Sequence, residues 1–164
     1  MRTTLIYILR HGQAGGHPDP PLSESGRRSA LLAAGLVAAD CGRLDLILAS
    51  PMRRTEEHAR ILAAVAGGVV ETCNSMEPEG DSYDTIQTIA NLNGIEKVAL
   101  VGHLPQLRKV ISALVSESGP VSMHIDTGGV ACIEADASEG ALRGILVWMV
   151  GETIMRNLDL ENPW

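Results

Sequence analysis

The chain is 164 residues long, 45% hydrophobic and free of phenylalanine, with a formal net charge of −7 at pH 7. That length suits one well-buried core, a single domain over 1–164, and the acidic balance with basic residues scattered in ones and twos argues against a protein that tracks nucleic acid through a phosphate-neutralising face. Three widely spaced cysteines without a CxxC pair, no stretch of membrane-spanning length and no signal-like apolar region lead us to expect a soluble, cytoplasmic protein with reduced thiols.

With aromatics at 2%, the core must be built from Leu, Ile, Val, Ala and Met, which suits a layered α/β protein. Leu5-Ile6-Tyr7-Ile8-Leu9 is a continuous apolar run, the pattern of a strand covered on both faces in a parallel sheet. It delivers Arg10 and His11 to its carboxyl end. Gln13 to Pro21 reads as an irregular loop, and Ser23 stands at the N-cap of an Ala- and Leu-rich helix that Asp40-Cys41-Gly42 stops. Leu44 to Ser50 is a second short apolar run. Pro51 is placed for the first turn of a helix Met52 to Val65, which Gly67-Gly68 closes.

Val69 to Thr72 suits a short third strand, after which the polar loop "NSMEPEGDSYD" leads into a helix Ser82 to Asn93. Val98 to Val101 repeats the opening arrangement, with Gly102 and His103 at the strand exit and Pro105 near the start of a helix Gln106 to Val115. "GGVACIEAD" and "LRGILVWMVG" read as two strands of an antiparallel or edge hairpin joined through Ala137 to Gly140.

Ligands of open α/β sheets bind beyond the carboxyl ends of the strands. Arg10 and His11 leave one strand, Ser50 leaves another just before Arg53-Arg54, and His103 leaves a third. Guanidinium forks and imidazoles gathered there make an anion site matched to phosphoryl oxygens, helped by helix N-termini. Each pair of unit charges at about 4 Å and an effective dielectric of about 20 is worth roughly 4 kcal/mol before desolvation. A neutral histidine is the evident nucleophile: its nitrogen attacks phosphorus and splits one displacement into two. His11 is expected in that role, with Arg10, Arg54 and a protonated His103 spreading the charge of the transferring oxygens before water releases phosphate.

"RHG" after the first strand, "PLSESGRRSA" opening the next helix, "SPMRRTEEHA" after the second strand and "VGHLP" after a later one resemble the ordered motifs of the histidine phosphatase superfamily. The short chain and the "HLP" form resemble its small SixA-type phosphohistidine phosphatases. The match spans about the first two thirds of the chain. It implies a phosphoglycerate-mutase-like three-layer α/β sandwich, with a mostly parallel central sheet flanked by helices. It also implies a phosphate pocket made of Arg10, His11, Arg54 and His103, needing no cofactor. Gly12 is expected to let backbone and phosphate approach closely, and Gln13 either to hydrogen-bond the phosphoryl group or to cap the loop. Arg54, just before Thr55, is preferred to Arg53, which reads as a solvated helix charge.

Many larger superfamily members carry a carboxylic acid between the second and third motifs, where it protonates a leaving oxygen. Glu77 and Glu79 lie in that region without aligning to such a position. The P–N bond of a phosphohistidine depends less on an enzymic acid, which tilts the expected partner toward a phosphorylated protein of signalling or phosphotransfer. A small phosphorylated substrate, handled by a phosphomonoesterase, and a non-catalytic phosphoprotein-binding module are the alternatives. The lack of lid-forming insertions suggests an open, shallow site. Neither nucleic acid nor membrane is expected as a partner.

The remaining histidines read as structural. His58 falls where the family pattern often has threonine and could reach the pocket rim, while His17 lies in a variable loop that could contact substrate protein. His124 has no assigned role. No HxxxH or HExxH spacing exists, and arginines flank the strand-exit histidines, so no metal is expected. Thr127-Gly128-Gly129 could place backbone amides near the pocket or form an ordinary turn, and Ser50 reads as the start of a helix.

Overall fold

The computed structural model describes residues 2–138 and 140–158. Glu139, within the expected hairpin turn, and the ends of the 1–164 span lie outside the described residues. Four apolar runs form parallel strands, β1 (Thr3–Arg10), β2 (Leu46–Ala49), β3 (Val69–Thr72) and β4 (Lys97–Gly102), and the tail adds an antiparallel hairpin of β5 (Val130–Ser138) and β6 (Ala141–Val150). They make one six-stranded sheet in the order β3-β2-β4-β1-β5-β6. Helices α1 (Glu24–Cys41), α2 (Arg53–Ala66), α3 (Ser82–Ala90), α4 (Gln106–Val115) and α5 (Glu152–Asn157) complete it. Among the described residues, no helix is long and apolar enough to cross a membrane.

The period of two along each strand sorts the core into two layers. Ile6, Ile8, Leu46, Leu48, Val98 and Leu100 face α3 and α4, where Ile86, Ile89, Leu107, Val110 and Ile111 meet them. Tyr7, Leu9, Ile47, Ala49, Ala99 and Val101 face α1, α2 and α5, meeting Leu32, Ala33, Val37, Leu62 and Met155. Burial of each large apolar side chain is worth about 1.5–3 kcal/mol. The layered α/β arrangement expected from the composition is thus present, in the three-layer, mostly parallel form that the family resemblance implied.

Three local expectations need correction. Helix α2 begins at Arg53 with Met52 as its N-cap, so Pro51 stands before the helix rather than in its first turn. The hydroxyl of Thr55 donates to Ser50 O at 2.7 Å and so closes the strand-to-helix corner. Helix α3 stops at Ala90, short of Asn93, because Leu92 N–H turns back to Ile89 O and Gly94 adopts a φ of 76°. The segment read as a wholly polar loop contains a short 3-10 turn, Asn74–Met76, that plants Met76 completely in the core. Helix α5 carried too little apolar periodicity to be foreseen; only Met155 of its six residues is buried.

Candidate active site

Strand order and register assemble the site before any side chain acts. β1 and β4 are adjacent and parallel with Arg10 opposite Gly102, so His11 and His103 emerge side by side. His11 N–H donates to Gly102 O at 3.1 Å. On the far side of β4, Ser50 N–H donates to Val101 O at 3.1 Å, bringing the corner that carries Arg54 to the same end.

The rings of His11 and His103 lie with centroids 5.1 Å apart, inclined at 61°. Arg54 bridges them: its Nε donates to His11 Nε2 at 3.2 Å and its Nη2 lies 3.2 Å from His103 Nδ1. His11 Nδ1 donates to Gly12 O at 2.7 Å. With Nδ1 donating, the ring's lone pair is on Nε2, facing Arg54. His103 has the opposite tautomer, accepting at Nδ1 and donating from Nε2 to Ser50 Oγ at 2.9 Å.

Arg10 approaches from β1 and donates from Nη1 to Ile125 O at 2.9 Å. Burial lowers its pKa, opposed by the charge of Asp126. Arg53 is exposed, its backbone N–H capped by Asp19 Oδ1 at 2.9 Å, so of the two adjacent arginines only Arg54 joins the histidines.

Burial pushes His11 down to about 4, with Arg54 and Arg10 acting in the same direction against the Gly12 hydrogen bond. Burial also pushes His103 down to about 3, reinforced by His11, Arg54 and Arg10. Both rings are neutral at pH 7. For His11 that is the state a nucleophile requires. For His103 it describes the site without ligand: a ring 3% exposed among cations does not hold a proton unless an anion joins them.

Gly12 allows a close backbone approach. What approaches it closely is α1, since a Cβ on Gly12 would collide with the carbonyl oxygen of Gly26. Its N–H is committed to His58 Nδ1 at 3.1 Å, so no amide remains there for substrate. Gln13 serves the loop through its backbone, with its carbonyl accepting from Ser23 N at 2.8 Å and Ser23 Oγ at 3.1 Å, while the residue lines the cleft.

That cleft, about 410 Å³, is lined by His11, Gln13, His17, Pro18, Arg54 and Thr127 among others. Glu77 and Glu79 are both exposed and do not line it. His124 is turned to Asp126, its Nε2 3.3 Å from Oδ1. The amide of Gly128 donates to the carbonyls of Arg10 and His11, and that of Gly129 to Asp126 O, so this turn anchors the end of β1 rather than offering amides to the cleft. Among the described residues, no group of three or more His, Cys, Asp or Glu is placed to hold a metal ion.

Two contributors were read differently from sequence. Ser50 is wholly buried and orients His103; its place at a strand exit was the available sign. His58 is not at the rim but buried behind Gly12, and only its departure from the family's threonine marked it.

The family model of the histidine phosphatase superfamily (branch 1) matches residues 6–77. No curated protein sequence matches the chain. Among solved structures, the protein histidine phosphatase SixA complexed with tungstate superposes with a TM-score of 0.81 at 21% identity, covering 93% of this chain and 99% of that one. A protein from Agrobacterium tumefaciens described as a SixA phosphohistidine phosphatase gives 0.72 at 27% identity, covering 90% and 97%. A mycobacterial glucosyl-3-phosphoglycerate phosphatase gives 0.67 at 18% identity, covering 89% and 98%.

Proposed function

We propose that this chain, a phosphatase of the histidine phosphatase superfamily, hydrolyses phosphohistidine on a signalling or phosphotransfer protein through a phosphoryl group carried transiently by His11. The observation that carries the reading is the lone pair of His11 Nε2, backed by the Gly12 carbonyl on Nδ1 and facing the Arg54 guanidinium.

In the first step Nε2 attacks phosphorus, the P–N bond to the substrate imidazole breaks, and that imidazole takes a proton from water in the open cleft. Arg10, Arg54 and His103 receive the equatorial oxygens; the incoming dianion raises the proton affinity of His103 and makes it a donor. In the second step the hydroxide left by that water attacks phosphorus, the P–Nε2 bond breaks with its electron pair returning to Nε2, and hydrogen phosphate leaves with His11 neutral again. No side-chain acid is required for a labile P–N bond. That neither Glu77 nor Glu79 lines the cleft favours this substrate over an alkyl phosphate, the small-molecule class named for the mycobacterial neighbour. Three free, buried cysteines support a reducing, cytoplasmic setting.

The test is to incubate the protein, without metal, with a phosphohistidine-bearing protein and in parallel with an alkyl phosphate, and to trap phosphoenzyme. Rapid release from the first with an acid-labile label on His11 is expected. Tight binding without release would instead identify a sequestering module, and preference for the alkyl phosphate a phosphomonoesterase.

A further inference from the structure

Behind the nucleophile lies an imidazole that these steps leave unused. His58 stands one turn beyond Arg54 on α2, so the two side chains leave neighbouring positions on one helix face. Arg54 reaches the cleft, whereas His58 is 0% exposed. Its Nδ1 accepts the N–H of Gly12 at 3.1 Å. Burial, with His11 nearby, pushes its pKa down to about 3 and keeps the ring neutral.

A neutral ring that accepts at Nδ1 carries its proton on Nε2. That nitrogen is buried without a hydrogen-bond partner. An apolar side chain would avoid this unpaired N–H, so packing alone does not account for a histidine here. What the imidazole adds is the acceptor for Gly12.

Gly12 has no side chain to limit its torsions, yet its carbonyl must sit under His11 Nδ1. We propose that His58 is a positioning residue for His11: by holding the peptide between residues 11 and 12 from behind, it keeps the Gly12 carbonyl on Nδ1 and aims the Nε2 lone pair at the phosphoryl site. Helix α2 then aligns the nucleophile from two sides, through Arg54 in front and His58 behind. The proposal rests on His11 being the nucleophile.

Asparagine places an amide oxygen near the position of histidine Nδ1, whereas glutamine places it near that of Nε2. The test compares wild type, His58→Asn and His58→Gln by the nitrogen-15 spectrum of His11 and by turnover of phosphoramidate. Wild type and His58→Asn should show His11 protonated at Nδ1 and bare at Nε2, with turnover within about threefold of each other. His58→Gln should lose that tautomer preference and about 10- to 100-fold in kcat, with little change in KM, because the arginines that bind the anion are intact. Equal behaviour of Asn and Gln in both readouts overturns the proposal.

Should either variant fail to fold, the wild type decides alone. A coupling across the hydrogen bond from Gly12 N to His58 Nδ1 is expected, and its absence overturns the proposal. If wild type forms no phosphoenzyme but the His11 tautomer differs between the variants, the phosphatase reading fails and the positioning role stands.

Discussion

Arg54 Nε lies 3.2 Å from His11 Nε2, so the cation proposed to hold a phosphoryl oxygen also caps the lone pair proposed to attack. An arriving phosphoryl group must part the two and takes up the donors released. In the proposed mechanism, nucleophile and charge stabiliser are therefore set by one contact.

Removing the fork should cost more than weakening the charge. Arg54→Ala is expected to lower kcat by about 10²–10³, the effect of losing one oxyanion donor. Arg54→Lys should fall between it and wild type, since an ammonium cannot bridge both imidazoles. Steady-state kinetics on phosphoramidate checks the order; equal rates for Lys and wild type would contradict it.

Ser50→Ala tests whether that hydroxyl orients rather than reacts. It leaves His103 Nε2–H buried and unpaired, at about 1–3 kcal/mol of stability, with a lower rate as the ring loses its fixed tautomer. A phosphoenzyme on His11 should still form. Its disappearance in a folded Ser50→Ala protein would make Ser50 a reacting group.

Stability should decline on the acid side. Folding depresses His11 to about 4 and His58 and His103 to about 3 from a usual 6.5. Below 6.5 the unfolded chain takes up protons that the folded chain refuses, so stability held above that pH is lost as pH falls toward 3. Urea midpoints measured from pH 8 to 4 should be level at first and then drop. Added inorganic phosphate should reduce the drop, because its charge beside His11 and His103 favours their protonation in the folded state.

Gly26→Ala should destabilise the protein although alanine favours helices by about 1 kcal/mol. In the first turn of α1 its Cβ would run into the carbonyl oxygen of Gln13, a backbone atom unable to swing aside. Overpacking usually costs about 1–3 kcal/mol, so the sum is negative. Chemical denaturation gives the sign; a stabilised variant would show that the loop yields.

Much of this arrangement was legible because it is local. Leu5 to Leu9 and Val98 to Val101 are apolar on both faces, which placed them inside a sheet, and the residues after them had to lie at its carboxyl edge. Ser23 announced its own helix cap, and its Oγ accepts from Gly26 N at 3.0 Å. The roles of Ser50 and His58 were hidden because a buried polar side chain is defined by a partner distant in sequence. The neutral state of His103 in the empty site was not legible either, because residue types count charges, while only coordinates show how deeply a ring is buried among them.

β1 lies between β4 and β5, with Leu5 opposite Lys97 and Thr3 opposite Asp136. The strand leading to His11 is thus translated early but acquires both its neighbours only after most of the polypeptide exists. A nascent chain lacking β4 and β5 has the His11 strand without either of its sheet neighbours, and without His103 beside it. The sheet around β1 is therefore completed late, and the two histidines come side by side only once β4 is in place.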